Sequence, residues 1–409
     1  MLFNEKVKKT IEKIYRKVEV INNPTCYLYF LDDIREKVNK IEKEAPKNLK
    51  LYYAMKANPN ENIIKFLKSN EYVRGIEIAS EGELRKALKY YEPKDIIYTG
   101  PGKTQYELET VINKGIRLIN VESLVEALRI QKTAHKNNCS KVDILLRINT
   151  DYYVDDVEEN MAGCSSKMGI DECQIYDVIN MIKGLDKINI KGIHVFSASG
   201  VMEYEKLTKY NQYVFDLVNK LQKQCDINIE IIDFGGGIGI DYSGANLQFD
   251  IVKYFDTLNN QIKDYNFENK EMILESGKYL VGECGFYTAE IIDIKDTKNY
   301  KHIVAAGGLN HMRKPAATGV KNPLYIINRN ASPLYPNQPI VSAETVDIGG
   351  PLCFSEDKLS WDDYIEFAEI GDIVVLSQSG AYCYSASVLE MLSHMYPEEF
   401  IIEGEYNEI

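Results

Sequence analysis

No apolar run in the chain approaches the roughly eighteen residues that a membrane-spanning helix needs, and the opening Met1-Leu2-Phe3-Asn4-Glu5-Lys6 lacks the apolar core of a secretory leader. A cytoplasmic protein with no membrane partner is the expectation. Eight cysteines (Cys26, Cys139, Cys164, Cys173, Cys225, Cys284, Cys353, Cys383) include no C-x-x-C pair and no zinc spacing, so most are expected to be reduced, small buried hydrophobes. Five scattered histidines without an H-x-H pair leave a metal-dependent hydrolase without support, and no metal is expected. No G-x-x-x-x-G-K-[ST] occurs, and Gly235-Gly236-Gly237-Ile238-Gly239 lacks the spacing of a dinucleotide-binding turn. Internal repeats and low-complexity tracts are missing too. A net charge of −13 argues against a nucleic-acid partner.

What is present is a regular alternation. After a first short strand, Cys26 to Leu31, strand candidates fall at 51–55, 74–78, 96–99, 117–120, 142–148, 188–194, 229–233 and 271–275, most of them separated by segments of helical period. Eight β-then-α units in about 250 residues fit a (β/α)8 barrel over 28–275 better than an open doubly wound sheet. Beyond 276 the runs Tyr287 to Ile292, His302 to Val304, Tyr325 to Ile327, Thr345 to Ile348 and Ile373 to Leu376 are short and turn-separated. They predict a largely antiparallel β domain of 276–409, joined by 1–27. The acidic tail, Glu403 to Ile409, reads as a frayed end.

Chemistry in barrels collects at the carboxyl ends of the strands. There the sequence places Lys56 after the first; Glu77, Ser80 and Glu83 after the second; Arg147 in the fifth; His194 and Ser197 after the sixth. The seventh strand runs into Gly235-Gly236-Gly237 and the eighth into Glu275-Ser276-Gly277-Lys278. A lysine can form a Schiff base, a glycine-rich turn can cradle a phosphate, an imidazole can stack on a ring, and a carboxylate can keep a pyridine nitrogen protonated. Together these groups describe a pyridoxal phosphate site. Taken singly, each has an ordinary reading as a solvated lysine, a tight turn, a core histidine or a loop-bonded carboxylate.

The motifs that carry these residues resemble those of the fold-type III pyridoxal phosphate decarboxylases, the alanine-racemase-like group that includes the ornithine and diaminopimelate enzymes, over nearly the whole chain. Tyr53-Ala54-Met55-Lys56-Ala57-Asn58 is similar to the cofactor-lysine motif, Glu77-Ile78-Ala79-Ser80-Glu81-Gly82-Glu83 to the second-strand motif, and His194-Val195-Phe196-Ser197 to H-V-G-S. Glu275-Ser276-Gly277-Lys278 resembles E-P-G-R, Gly350 to Asp357 resembles G-P-x-C-x-x-x-D, and Gly380-Ala381-Tyr382 resembles G-A-Y. The resemblance implies a Schiff base at Lys56, His194 stacked on the ring and Glu275 on its nitrogen. It further implies cofactor contacts from Glu77 and Arg147, and phosphate contacts from Ser197, Gly235, Gly236, Gly237, Gly277, Lys278 and Tyr382. Cys353 is implied as the proton donor after carbon dioxide leaves, delivered from the second subunit of a homodimer.

Departures from the family pattern bear on the substrate. Phe354 stands where a carboxylate follows the cysteine in decarboxylases of diamino acids, Lys278 where arginine is usual, Phe196 for a glycine, and Met168 for a phenylalanine. Phe354 cannot pair with a substrate ammonium. The closer likeness is to decarboxylases of siderophore and aminoglycoside-antibiotic pathways, which implies an amino-acid-derived small molecule, already conjugated or carried on a protein. Arg313, Lys314, Phe354 and Asp357 are the expected substrate-side residues. The alternatives are a diaminopimelate, ornithine or lysine decarboxylase of primary metabolism, a racemase on the same fold, or a cofactor-free binding relative.

Overall fold

The computed structural model describes residues 3–21, 23–329, 332–333 and 335–404, and for 17–21 the backbone alone. The chain divides into two compact units: Lys37–Ile240 with Gln248–Tyr279, and Met1–Glu36 with Asp241–Leu247 and Leu280–Ile409. After the helix Glu5–Ile21, the strand Thr25–Phe30 (β1) and the helix Leu31–Glu44, the chain builds a barrel. Its first four strands are Leu49–Ala54 (β2), Val73–Ile78 (β3), Ile96–Tyr98 (β4) and Leu118–Val121 (β5). Val142–Asn149 (β6) follows, then the two-residue strands Glu159–Asn160 (β7) and Ile170–Asp171 (β8) inside one long loop. Ile188–Val195 (β9), the short Ala198–Ser199 (β10), Ile231–Asp233 (β11) and Glu271–Ser276 (β12) complete it.

Eight of these strands pair in parallel in the order β5-β4-β3-β2-β12-β11-β9-β6, and a β5–β6 pairing closes the ring. Tyr52, Ile97, Leu118, Leu145, Ile231 and Ile273 form a buried apolar layer within it, so the barrel is a packed core with its chemistry at the rim. Asn60, Ser80, Thr104, Ser123 and Asp250 each accept a backbone N–H in the first turn of the helix that follows. Each such cap is worth about 1 kcal/mol, and together they fix where the loops at the strand ends stop.

In the other unit, Gly285–Thr297 (β13), Tyr300–Ala305 (β14), Leu324–Ile327 (β15), Val341–Gly349 (β16), Lys358–Ala368 (β17), Ile373–Leu376 (β18) and Glu398–Ile402 (β19) join β1 in one sheet. The helix Glu5–Ile21 lays Val7, Ile11, Ile14 and Tyr15, an i, i+4, i+7, i+8 stripe, on Cys26, Leu28, Phe30, Phe286 and Val375. Two details differ from expectation. β1 contains residue 28 yet pairs with β13 and β19, so the barrel starts at β2. The sheet is mixed, because β14 pairs with β16 and β1 with β19 in parallel. Of the tail, 405–409 lie outside the described residues; Glu403 pairs with Arg35. No helix among the described residues is long and apolar enough to cross a membrane.

Candidate active site

Lys56 lies in the single 3-10 turn Met55–Ala57 that ends β2, and the Tyr53 hydroxyl fastens that turn by donating to the Asn58 carbonyl at 2.7 Å. The Lys56 side chain stays 40 % exposed while its Nζ donates to both oxygens of Glu77, at 3.1 and 3.0 Å. Glu77 is fully buried at the end of β3. One end of the pair is thus fixed and the other reaches open space. Ser80 and Glu83, also expected at this rim, are spent on the next helix: Ser80 Oγ accepts the Glu83 N–H at 3.2 Å, and Glu83 accepts the Ala79 N–H at 2.7 Å.

Across the barrel, His194, Asp233 and Glu275 end β9, β11 and β12, and their polar atoms lie within 4.8 Å of one another, all buried. Asp233 was not among the expected residues. Its signal is an acid closing the apolar run Ile231-Ile232, just ahead of the glycines. One Asp233 oxygen accepts the Gly235 N–H at 2.9 Å, and both ring nitrogens of His194 are without a hydrogen-bond partner among the described residues. Burial, with the neighbouring Glu77 charge, pushes the Asp233 carboxyl up to about 7. Glu275 is raised well above the carboxylate range by burial and by Asp233. Burial, helped by the positive charges of Arg147 and Lys56, keeps His194 neutral by lowering its pKa. A neutral imidazole beside two carboxyls that ionise less readily than usual is the outcome.

The turn after β11 runs against the segment after β9. Gly235 and Gly237 sit at φ +63° and +115°, and a Cβ on Gly235 would meet the Phe196 ring at 2.8 Å. Phe196, which stands where the family pattern has glycine, therefore fills the space that the glycine leaves. Gly237 borders Ser197 and Ala198, and Gly277 borders Ala54 and Ala57 in the cofactor-lysine turn. Lys278 Nζ donates to Ser199 Oγ at 3.0 Å and to Glu158. Arg147 lies beside His194 in the β6–β9 register and donates to Glu122 at 3.1 Å, both side chains buried. Glu122, another residue not expected, also accepts the N–H groups of Gly100 at 3.0 Å and Gly169 at 2.8 Å, gathering three rim loops. Met168, just before Gly169, is half-buried.

The remaining expected residues belong to the other unit. Cys353 is exposed, in the connection between β16 and β17. Asp357, expected on the substrate side, is buried and accepts the backbone N–H groups of Leu309 at 2.5 Å and Leu352 at 2.7 Å. Lys314 is likewise buried, 3.3 Å above the Tyr242 ring, whereas Arg313 is exposed. Tyr382 holds φ +56°, a left-handed backbone unusual for a bulky residue and common at ligand clamps.

Residues 31–282 match the family model for the pyridoxal-binding domain of pyridoxal-dependent decarboxylases. The chain belongs to this family and is a pyridoxal phosphate-dependent decarboxylase. It is 28% identical over 391 residues to the 2-[(L-alanin-3-ylcarbamoyl)methyl]-2-hydroxybutanedioate decarboxylase of Staphylococcus aureus, covering 95% of this chain and 97% of that one. It is 29% identical over 387 residues to the L-glutamyl-[BtrI acyl-carrier protein] decarboxylase of Niallia circulans, covering 92% and 88%. Diaminopimelate decarboxylases match at 28%, 27% and 26%. In fold it is similar to the Helicobacter pylori diaminopimelate decarboxylase solved with L-lysine, with TM-score 0.83 and 24% identity, over 95% of this chain and 94% of that one.

The residues fit the family's cofactor. A reachable amine, a glycine turn at positive φ beside Ser197, and buried His194 ring nitrogens without a partner among the described residues are what a charged, flat, phosphorylated ring would satisfy.

Proposed function

We propose that the protein decarboxylates an amino acid joined to a larger acidic or carrier group, in a siderophore or antibiotic pathway. The observation that carries this reading is Phe354 directly after Cys353, an aromatic ring where recognition of a second amine needs a carboxylate. Two relatives support it, since the names of both describe amino acids in amide or carrier linkage. Diamino-acid decarboxylation in primary metabolism is the second reading, favoured by the diaminopimelate relatives.

Bound pyridoxal phosphate supplies the electron sink for the pair left behind when carbon dioxide departs. In this reading Lys56 holds the cofactor covalently, and Glu77 fixes the amine's approach. His194 would stack on the ring, Arg147 would contribute a cofactor contact, and Glu275 would hold the proton at the ring nitrogen. Asp233 is the partner that keeps that proton available, because two adjacent buried carboxyls do not both ionise. Ser197, Gly235, Gly236, Gly237, Gly277, Lys278 and Tyr382 would hold the phosphate. Cys353 Sγ, from the second subunit of a homodimer, returns a proton to the carbon that lost the carboxylate. Arg313 serves the conjugate's acidic end.

Two variants test these roles. Borohydride reduction should fix cofactor to the parent protein and leave none on Lys56→Ala. Cys353→Ala should retain the cofactor's absorbance while carbon dioxide release slows, by about 10²-fold or more for loss of a general acid, or while the product spectrum changes. A Cys353→Ala protein as fast and as clean as the parent would remove Cys353 from the mechanism.

A further inference from the structure

Lys278 is the one cation among the residues assigned to the phosphate, and its side chain is only 10 % exposed. Its ammonium donates to Ser199 Oγ at 3.0 Å and to the Glu158 carboxylate. Glu158 comes from the loop that leaves the carboxyl end of β6 and leads to β9, and none of the residues assigned to the cofactor lies in that loop. Backbone pairing presses this loop against the segment that carries Ser197. β7 pairs with β10, Ala198 opposite Asn160 and Ser199 opposite Glu159, and Met161 N–H donates to the Ser197 carbonyl at 3.0 Å. Asn160 braces the loop from within by bonding both backbone groups of Val154, at 2.7 and 3.2 Å. Gly200, at φ +75°, lies directly under Glu158, where any Cβ would collide with the carboxylate side chain.

We propose that Glu158 is a counter-ion latch which competes with the cofactor phosphate for Lys278, so that loop position and cofactor binding are coupled. This rests on the assignment of Lys278 to the phosphate. A largely buried ammonium needs an anion, and in this chain Glu158 is that anion. A guanidinium, with five donors in a fork, could hold a carboxylate and a phosphate on different edges, whereas the lysine that stands here is a compact point charge. Two anions on one point charge repel, so an arriving phosphate dianion displaces Glu158, and the β7–β10 ribbon loses its side-chain anchor. The loop and the phosphate then change each other's equilibria by the same factor.

The experiment is a double-mutant cycle on the cofactor-free protein, read as the dissociation constants of pyridoxal phosphate and of pyridoxal without phosphate. Glu158→Gln should tighten pyridoxal phosphate by roughly 5- to 50-fold, within the usual range of coupling between sites, and leave pyridoxal unchanged. In the Lys278→Met background the gain should vanish. Hydrogen exchange at 158–161 should speed up when phosphate-bearing cofactor binds the parent, and be fast from the start in Glu158→Gln. Equal constants for parent and Glu158→Gln, or a gain that persists without Lys278 or appears with pyridoxal, overturns the latch. Failure of the parent to bind pyridoxal phosphate at all would overturn the site assignment and the latch with it.

Discussion

Three buried groups decide the chemistry at the rim, and their protonation follows from position. Asp233 and Glu275 end neighbouring parallel strands with both side chains buried, so burial raises both, Asp233 to about 7. Between pH 4 and 7 the folded cofactor-free protein holds a proton on Asp233 that the unfolded chain has released. The stabilising contribution is therefore complete below about pH 3.8, declines above it, and is lost as pH rises through about 7. His194 acts in the opposite sense: its pKa is lowered, so below its ordinary 6.5 the unfolded chain takes a proton that the fold excludes. Asp233→Asn isolates the first effect. Urea unfolding at pH 4.5 and pH 8 should show the parent losing stability relative to the variant at the higher pH; an unchanged difference would show that the carboxyl is not raised. Lys56, His194 and Glu275 were legible in the sequence because they interrupt apolar runs at strand ends. Asp233 and Glu122 do so as well, but no single position says that three side chains from separate strands converge; closure of the ring does that.

At the level of elements, the alternation of apolar runs and helical periods was enough to place all eight barrel strands, because strands buried on both faces read as continuous apolar runs. β17 and β19 escaped notice. β17, Lys358–Ala368, carries Trp361, Asp362, Asp363 and Tyr364 at successive positions with no two-residue period, and four of its eleven residues are exposed. The loop after β16 shows a different limit. Asp357 looked like a substrate contact by its place in a motif, yet its oxygens are committed to the backbone of Leu309 and Leu352. It is better described as the clamp that sets the Cys353 loop. Asp357→Ala leaves those two N–H groups without acceptors, at a cost of about 1–3 kcal/mol. Thermal unfolding should show that loss, with cofactor retained and turnover reduced. Full turnover in a destabilised variant would separate the loop's geometry from the proton donor.

For the whole molecule the central matters are how sites are completed and what they act on. If Cys353 serves the partner's cofactor, equal mixtures of Lys56→Ala and Cys353→Ala proteins, each inactive or slow alone, should recover roughly a quarter of the parent rate, because each hybrid dimer holds one intact site. No recovery after verified subunit exchange would place lysine and cysteine of one site on the same chain. The substrate is read from the absence of a carboxylate beside Cys353 and from relatives whose named substrates are conjugates. Carbon dioxide release by the cofactor-loaded protein tests that reading most directly, with ornithine, lysine, diaminopimelate and arginine set against a citryl-diaminopropionate conjugate and a carrier-bound glutamyl thioester. Release from a conjugate and not from the free amino acids is the predicted result; efficient release from a free diamino acid would contradict it and return the enzyme to primary metabolism.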